Sequence, residues 1–80
     1  MRKVTTAQAK RDYSIGFLNK FRIERALLDT GWFIVLGEGL AEGFLVDSAR
    51  KEQRVFKSLD GAVSVLEDIG FNIDALFRGY

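Results

Sequence analysis

The side chains able to do chemistry fall into two basic clusters. Lys10 and Arg11 lie in the N-terminal segment, and Arg50, Lys51, Arg54 and Lys57 lie close together further on. Lysine and arginine at this density can neutralise phosphates, and Tyr13, Trp32 and Phe33 are aromatics able to stack on bases. Charge is also uneven. Residues 1–25 carry seven basic residues against Asp12 and Glu24, a net of +5, whereas residues 26–80 carry five basic and nine acidic, a net of −4. Against a nucleic-acid surface, Asp12 and Glu24 interrupt the first cluster and Glu52 the second, and the whole chain is only +1. The aromatics also stand at core spacing. Binding of DNA or RNA by the N-terminal helix and the 50–57 hairpin is therefore the alternative expectation.

Acid–base and metal chemistry have few candidates. The chain has no histidine and no cysteine, so the usual general base and the thiol nucleophile are absent. Zinc would have to be held by carboxylates alone, which is not how its sites are built. Glu67 and Asp68 fall on the solvent face of an amphipathic helix, and Asp29 and Asp47 stand at a turn and a strand end. The neighbours Ser14/Lys10 and Ser58/Lys57 have no third group to orient them. Gly37-Glu38-Gly39 with Gly43 is one residue too long for a dinucleotide fingerprint and leads into a strand instead of a helix. The expectation is a protein that is not an enzyme and that carries neither cofactor nor metal.

Apolar residues point to a different activity. Trp32, Ile34 and Leu36 alternate with Phe33 and Val35, so the densest strand is apolar on both faces. Two helices of moderate length do not cover both faces of such a sheet, and the surplus is an exposed apolar patch of the kind that marks an interface. Ile73, Leu76, Phe77 and Tyr80 in the tail either cover that patch or form a dimer contact themselves. The leading expectation is a small non-enzymatic interaction or accessory protein working through protein–protein contacts, as a homodimer or with another partner.

The elements that position these residues follow from pattern. Thr5 to Gln8 has capping-box spacing, and Ala9, Tyr13, Gly16, Phe17 and Phe21 share a helical face, predicting a helix over about 5–20. Gly16 on that face implies close approach to a neighbour. Residues 22–28 fit a strand better than a helical continuation, because the helical seam from Phe17 and Phe21 meets Glu24. Asp29-Thr30-Gly31 then makes a three-residue hairpin loop with glycine at its left-handed position. Strands follow at 32–36, at 44 to about 48, and at 54–57, with a polar turn over 49–52. Ser58 caps a second helix whose stripe is Leu59, Ala62, Val63, Leu66 and Ile69, ended by Gly70 with Phe71 folding back. The fold class expected is α+β in one domain spanning residues 1–80: helix, a three- or four-stranded antiparallel meander, an amphipathic helix and a short packed tail. No apolar run approaches the ~20 residues of a membrane span. The segment from Met1 to Thr6 leads into polar residues, not an apolar signal core, so a cytoplasmic location without membrane attachment is expected.

Residues 54–66, Arg-Val-Phe-Lys-Ser-Leu-Asp-Gly-Ala-Val-Ser-Val-Leu, resemble the last strand and helix of small three-stranded-sheet-plus-helix modules. The arm-type DNA-binding domains of phage integrases and the AP2-like domains are examples. There an aromatic-basic-Ser/Thr step leads into a helix bearing an alanine on its sheet-facing side. The resemblance implies a strand followed by a helix at this place. Strands 32–36 and 44–48 lack the Arg/Lys pattern that reads DNA in those modules, so no binding residues are carried over. The order of elements is also similar in outline to double-stranded-RNA-binding domains, but Ser58-Leu59-Asp60 opens the second helix with an acid where phosphate gripping needs a base. The overall style looks like small proteins of bacterial plasmids and integrative elements.

Overall fold

The computed structural model describes residues 2–73. Its elements are β1 (Arg2–Val4), α1 (Thr6–Ser14), β2 (Phe21–Arg25), β3 (Trp32–Leu36), β4 (Gly43–Leu45) and α2 (Leu59–Ile69), with short 3₁₀ turns at Leu27–Asp29 and Gly39–Ala41. The four strands form one sheet in the order β1-β4-β3-β2. β3 is antiparallel to both β2 and β4, so the α+β class and the dominant antiparallel pairing are as expected. The meander is corrected by β1, which pairs parallel with β4 through Arg2↔Gly43, Lys3↔Phe44 and Val4↔Leu45. A strand of three residues, two of them charged, has no alternation to betray it. Val4 alone reaches the core, where it is buried beside its partner Leu45.

β2 makes the first part of the ambiguous segment a strand, in the register Phe21↔Leu36, Ile23↔Ile34 and Arg25↔Trp32, but the strand ends at Arg25 and Leu27 and Leu28 fall in a 3₁₀ turn. Period-2 alternation places Phe21 and Ile23 against the core and Arg22 and Glu24 on the opposite face. The hairpin loop differs from expectation. Ala26 N–H donates to the Gly31 carbonyl, and Thr30 donates to the Leu27 carbonyl from both N–H and Oγ1, so the loop is Leu27-Leu28-Asp29-Thr30. Gly31 does adopt a positive φ of 151°, but it is Leu28 that takes the left-handed helical conformation, at φ 58°. Gly31 has a second reason to be glycine: a Cβ there would lie 2.3 Å from the Phe56 carbonyl oxygen.

α1 is shorter than the predicted 5–20 helix. Thr5 Oγ1 accepts from Gln8 N–H as the cap requires, but the helix ends at Ser14. Gly16 adopts φ 81°, and the N–H groups of Phe17 and Leu18 both donate to the Asp12 carbonyl. Gly16 is thus a terminator, with open space where its Cβ would be. The chain leaves the helical face there, so Phe17 is 60% exposed while Leu18 is buried.

α2 matches its pattern closely. Ser58 Oγ accepts from Gly61 N–H, and Ala62, Val63, Leu66 and Ile69 are the buried stripe. After Gly70, Phe71 is buried and its ring meets Tyr13 and Phe21 edge-on, both at centroid distances of 4.9 Å. These residues join Val4, Ala9, Leu18, Ile34, Leu36, Leu45, Phe56 and Ile73 in one core cluster on one side of the sheet. Full burial of each large aliphatic, such as Leu66 or Ile34, stabilises by about 1.5–3 kcal/mol. Among the described residues no helix lies on the other side. The expected strand at 54–57 is instead a chain segment touching the sheet at two isolated bridges, Val46↔Gln53 and Trp32↔Phe56. It enters where β3 and β4 part, since they pair only through Val35↔Phe44 and Leu36↔Gly43. Among the described residues no helix is long and apolar enough to cross a membrane.

Candidate interaction surface

The side of the sheet without helices carries Arg22, Glu24, Phe33, Val35, Phe44 and Val46, as the registers and the period-2 alternation require. Val35 and Val46 are buried, and Phe33 and Phe44 are half-buried. Arg22 spans the middle of this face. Its guanidinium donates to Glu24 and Glu42, which holds the Glu42 carboxyl below the usual carboxylate range.

At the β2–β3 end the same face opens into a hollow of ≈ 490 Å³ lined by Arg25, Ala26, Leu27, Leu28, Phe33 and Gln53. Leu27 is 88% exposed and Leu28 94%. Nothing in the monomer covers them within the described residues. Leu28 is also held in a backbone region that disfavours bulky side chains by roughly 1–2 kcal/mol. Val55, 41% exposed, adjoins this end of the sheet, its Cγ1 2.8 Å from where a Gly31 Cβ would stand.

The opposite wall of the hollow belongs to the 47–57 arm, through Gln53. The Asp47 carboxylate shapes the arm by accepting from Ala49 and Arg50 N–H at 2.8 and 3.0 Å, which also lowers the pKa of Asp47. Lys51 N–H donates to the Asp47 carbonyl, and Lys51 sits at φ 61°. Two arginines are stacked on aromatic rings at this end of the sheet. The Arg25 guanidinium lies 4.2 Å over Trp32, and that of Arg54 lies 4.9 Å over Phe56. Trp32 and Phe56 are joined by reciprocal backbone hydrogen bonds of 2.8 and 2.7 Å, so the two stacks are neighbours.

The expected binding residues separate into distinct places. Lys10 is ion-paired with Asp68 at 3.0 Å, tying α1 to α2. Arg11 is exposed on α1. Arg50, Lys51, Arg54 and Lys57 are exposed on the arm. Lys57 precedes α2 and Asp68 lies near its end, a span of about 16 Å at 1.5 Å per residue. The two basic clusters therefore do not merge into one patch. Other N-terminal cations are also engaged: Arg2 donates to the Ala41 carbonyl, and Lys20 pairs with Glu38. Ile73, expected at an interface, is 8% exposed and belongs to the core. Leu76, Phe77 and Tyr80 lie outside the described residues.

Leu27 and Leu28 were not singled out from sequence, where Leu27 fits the inward positions of a strand. The signal was present: two consecutive leucines cannot both face the core of a strand, and Asp29-Thr30-Gly31 follows at once. Among the described residues no three acidic side chains gather as a metal site would need. Comparison with family models, with curated proteins and with solved structures returned no match to this chain.

Proposed function

We propose that this protein is a non-enzymatic interaction module that captures a partner protein at the hollow beside Leu27 and Leu28. The observation that carries the reading is the pair of leucines themselves. They are almost wholly exposed, on a strained loop, beside the half-buried Phe33. Apolar side chains placed so are what an incoming partner would desolvate, and such anchors dominate binding energy at protein interfaces. Random 12-residue peptides displayed on phage and selected on the immobilised protein test it. Selected peptides should lose at least tenfold in affinity for the Leu27→Ser/Leu28→Ser variant. Peptides indifferent to that change would defeat the reading.

A second reading, a nucleic-acid-binding accessory protein, is favoured by the four exposed cations of the arm. Four phosphate contacts would lower affinity for a mixed-sequence DNA duplex about 10²-fold between roughly 50 and 200 mM salt. Sedimentation with a labelled duplex at the two salt concentrations measures this. Binding that ignores Arg50→Glu/Lys51→Glu would exclude the arm.

A further inference from the structure

Resting on the protein-capture reading, we infer that the captured partner is a second copy of this chain, and that its Gly37–Gly43 turn enters the hollow with Leu40 leading. The copies then join head to tail. The molecule is apolar at two opposite ends, and the ends differ in form. β3 runs from Trp32, paired with Arg25 beside the hollow, to Leu36, paired with Phe21 at the far end. At the near end Leu27 and Leu28 border a depression of ≈ 490 Å³, within the size range of clefts that enclose a small ligand. At the far end the chain protrudes. Leu40 is wholly exposed in the middle of the 3₁₀ turn Gly39–Ala41. Ala41 N–H donates to the Glu38 carbonyl and Glu42 N–H to the Gly39 carbonyl, both at 3.2 Å. Arg2 braces the turn by donating to the Ala41 carbonyl from Nε and Nη2 at 3.2 and 2.8 Å. Gly37, at φ 82°, lets it close, since a Cβ there would lie 3.0 Å from the Ala41 carbonyl oxygen. The exposed ring of Phe17 lies under the Arg2 guanidinium and widens the apolar surface. A braced turn that holds a leucine outward has already lost the freedom that binding would otherwise remove.

Charge fits the same pairing. Residues 37–43 carry Glu38 and Glu42 and no cation, whereas the 47–57 arm that walls the hollow carries four cations against Asp47 and Glu52. Arg25 and Asp29, at the same end, cancel formally and leave that balance positive. Arg25 is already engaged and supplies nothing to the contact. Glu38 is paired with Lys20 at 3.3 Å, but both side chains are more than half exposed, so the pair contributes little in water. Glu38 can therefore exchange Lys20 for a cation of the next copy's arm, while Glu42 stays with Arg22. The leucines anchor the contact, and the charges set which end meets which. Because the two surfaces lie at opposite ends, the contact is heterologous and assembly continues past the dimer.

Sedimentation velocity of the full chain over a concentration series tests this. The wild type should grow past the dimer as concentration rises. Leu40→Ser removes the protrusion and Leu27→Ser/Leu28→Ser removes the apolar lining, so each variant alone should be monomeric. Mixed in equal amounts they should form a one-to-one dimer and nothing larger, because one intact protrusion and one intact hollow remain. That recovered dimer also shows that both variants are folded. Glu38→Lys should weaken association about tenfold, and association unchanged by it would overturn the charge pairing. A wild type that stays monomeric, while phage-selected peptides still require Leu27 and Leu28, would overturn the second copy and leave protein capture standing. Association that stops at a dimer, or that survives in either leucine variant alone, would overturn the head-to-tail contact. No association, together with no peptide that depends on the two leucines, would overturn both readings.

Discussion

The two faces of the sheet solve the same problem in opposite ways. On one face α1 and α2 close over Ile34, Leu36, Leu45 and Val4, and burial is complete within the chain. On the other, Val35 and Val46 are covered by their own neighbours, Arg22 holds two carboxylates, and nothing among the described residues covers Leu27 and Leu28 at one end. The first face makes the fold stable. The second is where stability has been left incomplete, and incompleteness confined to one end of one face is more informative than the same area scattered over a surface.

Truncations separate the faces most sharply. Leu66→Ala should destabilise by about 2–5 kcal/mol in urea unfolding, because a wholly buried side chain leaves a cavity. Leu27→Ala should change stability by less than about 0.5 kcal/mol in the same measurement. A loss at Leu27 as large as that at Leu66 would show that the open face is core after all. Leu28→Gly reverses the usual sign: relief of the left-handed backbone should outweigh the flexibility of glycine and stabilise by about 0.5–1 kcal/mol. Peptide capture should fall in that same variant. A destabilised Leu28→Gly would mean that the leucine makes contacts that hold the loop.

The smallest effect concerns charge on the open face. Arg22 depresses the Glu42 pKa, so its contribution to stability is present at neutral pH and fades as pH falls through the folded value. In Arg22→Gln, the NMR titration of Glu42 should move up to the ordinary carboxylate range. The acid-side loss of melting temperature should become shallower. An unchanged Glu42 titration would remove the network from the account of this face.

Local signals in the sequence carried over well wherever chemistry and periodicity agreed. Ser58 as cap, the Leu59–Ile69 stripe, the Gly70 stop and the Trp32–Leu36 strand all appear as their residues imply. Long-range choices were less legible. β1 is defined by Val4 meeting Leu45, a contact that no local pattern encodes. Gly16 gives the same apolar spacing as a packing residue or as a terminator, and only the hydrogen bonds to Asp12 distinguish the two. The expected apolar patch on the central strand is not what the structure exposes: Val35 and Val46 are buried, and the exposed pair, Leu27 and Leu28, lies in the loop after β2. The location of the candidate surface was not legible, because a leucine pair reads as core until the loop geometry turns it outward. The basic residues were visible individually, but their grouping depends on the Lys10–Asp68 pair and on the length of α2.

The parallel pairing of β1 also sets an order of events during synthesis. Arg2 leaves the ribosome long before Gly43, the partner it needs. At about 5–20 residues per second, the 41 residues from Lys3 to Gly43 take roughly 2–8 s to appear. Over that interval Val4 has no strand to join, and α1, which follows it, is too short to persist alone. β1 is made before the strand it joins and docks after it, and until it does β4 presents an unpaired edge.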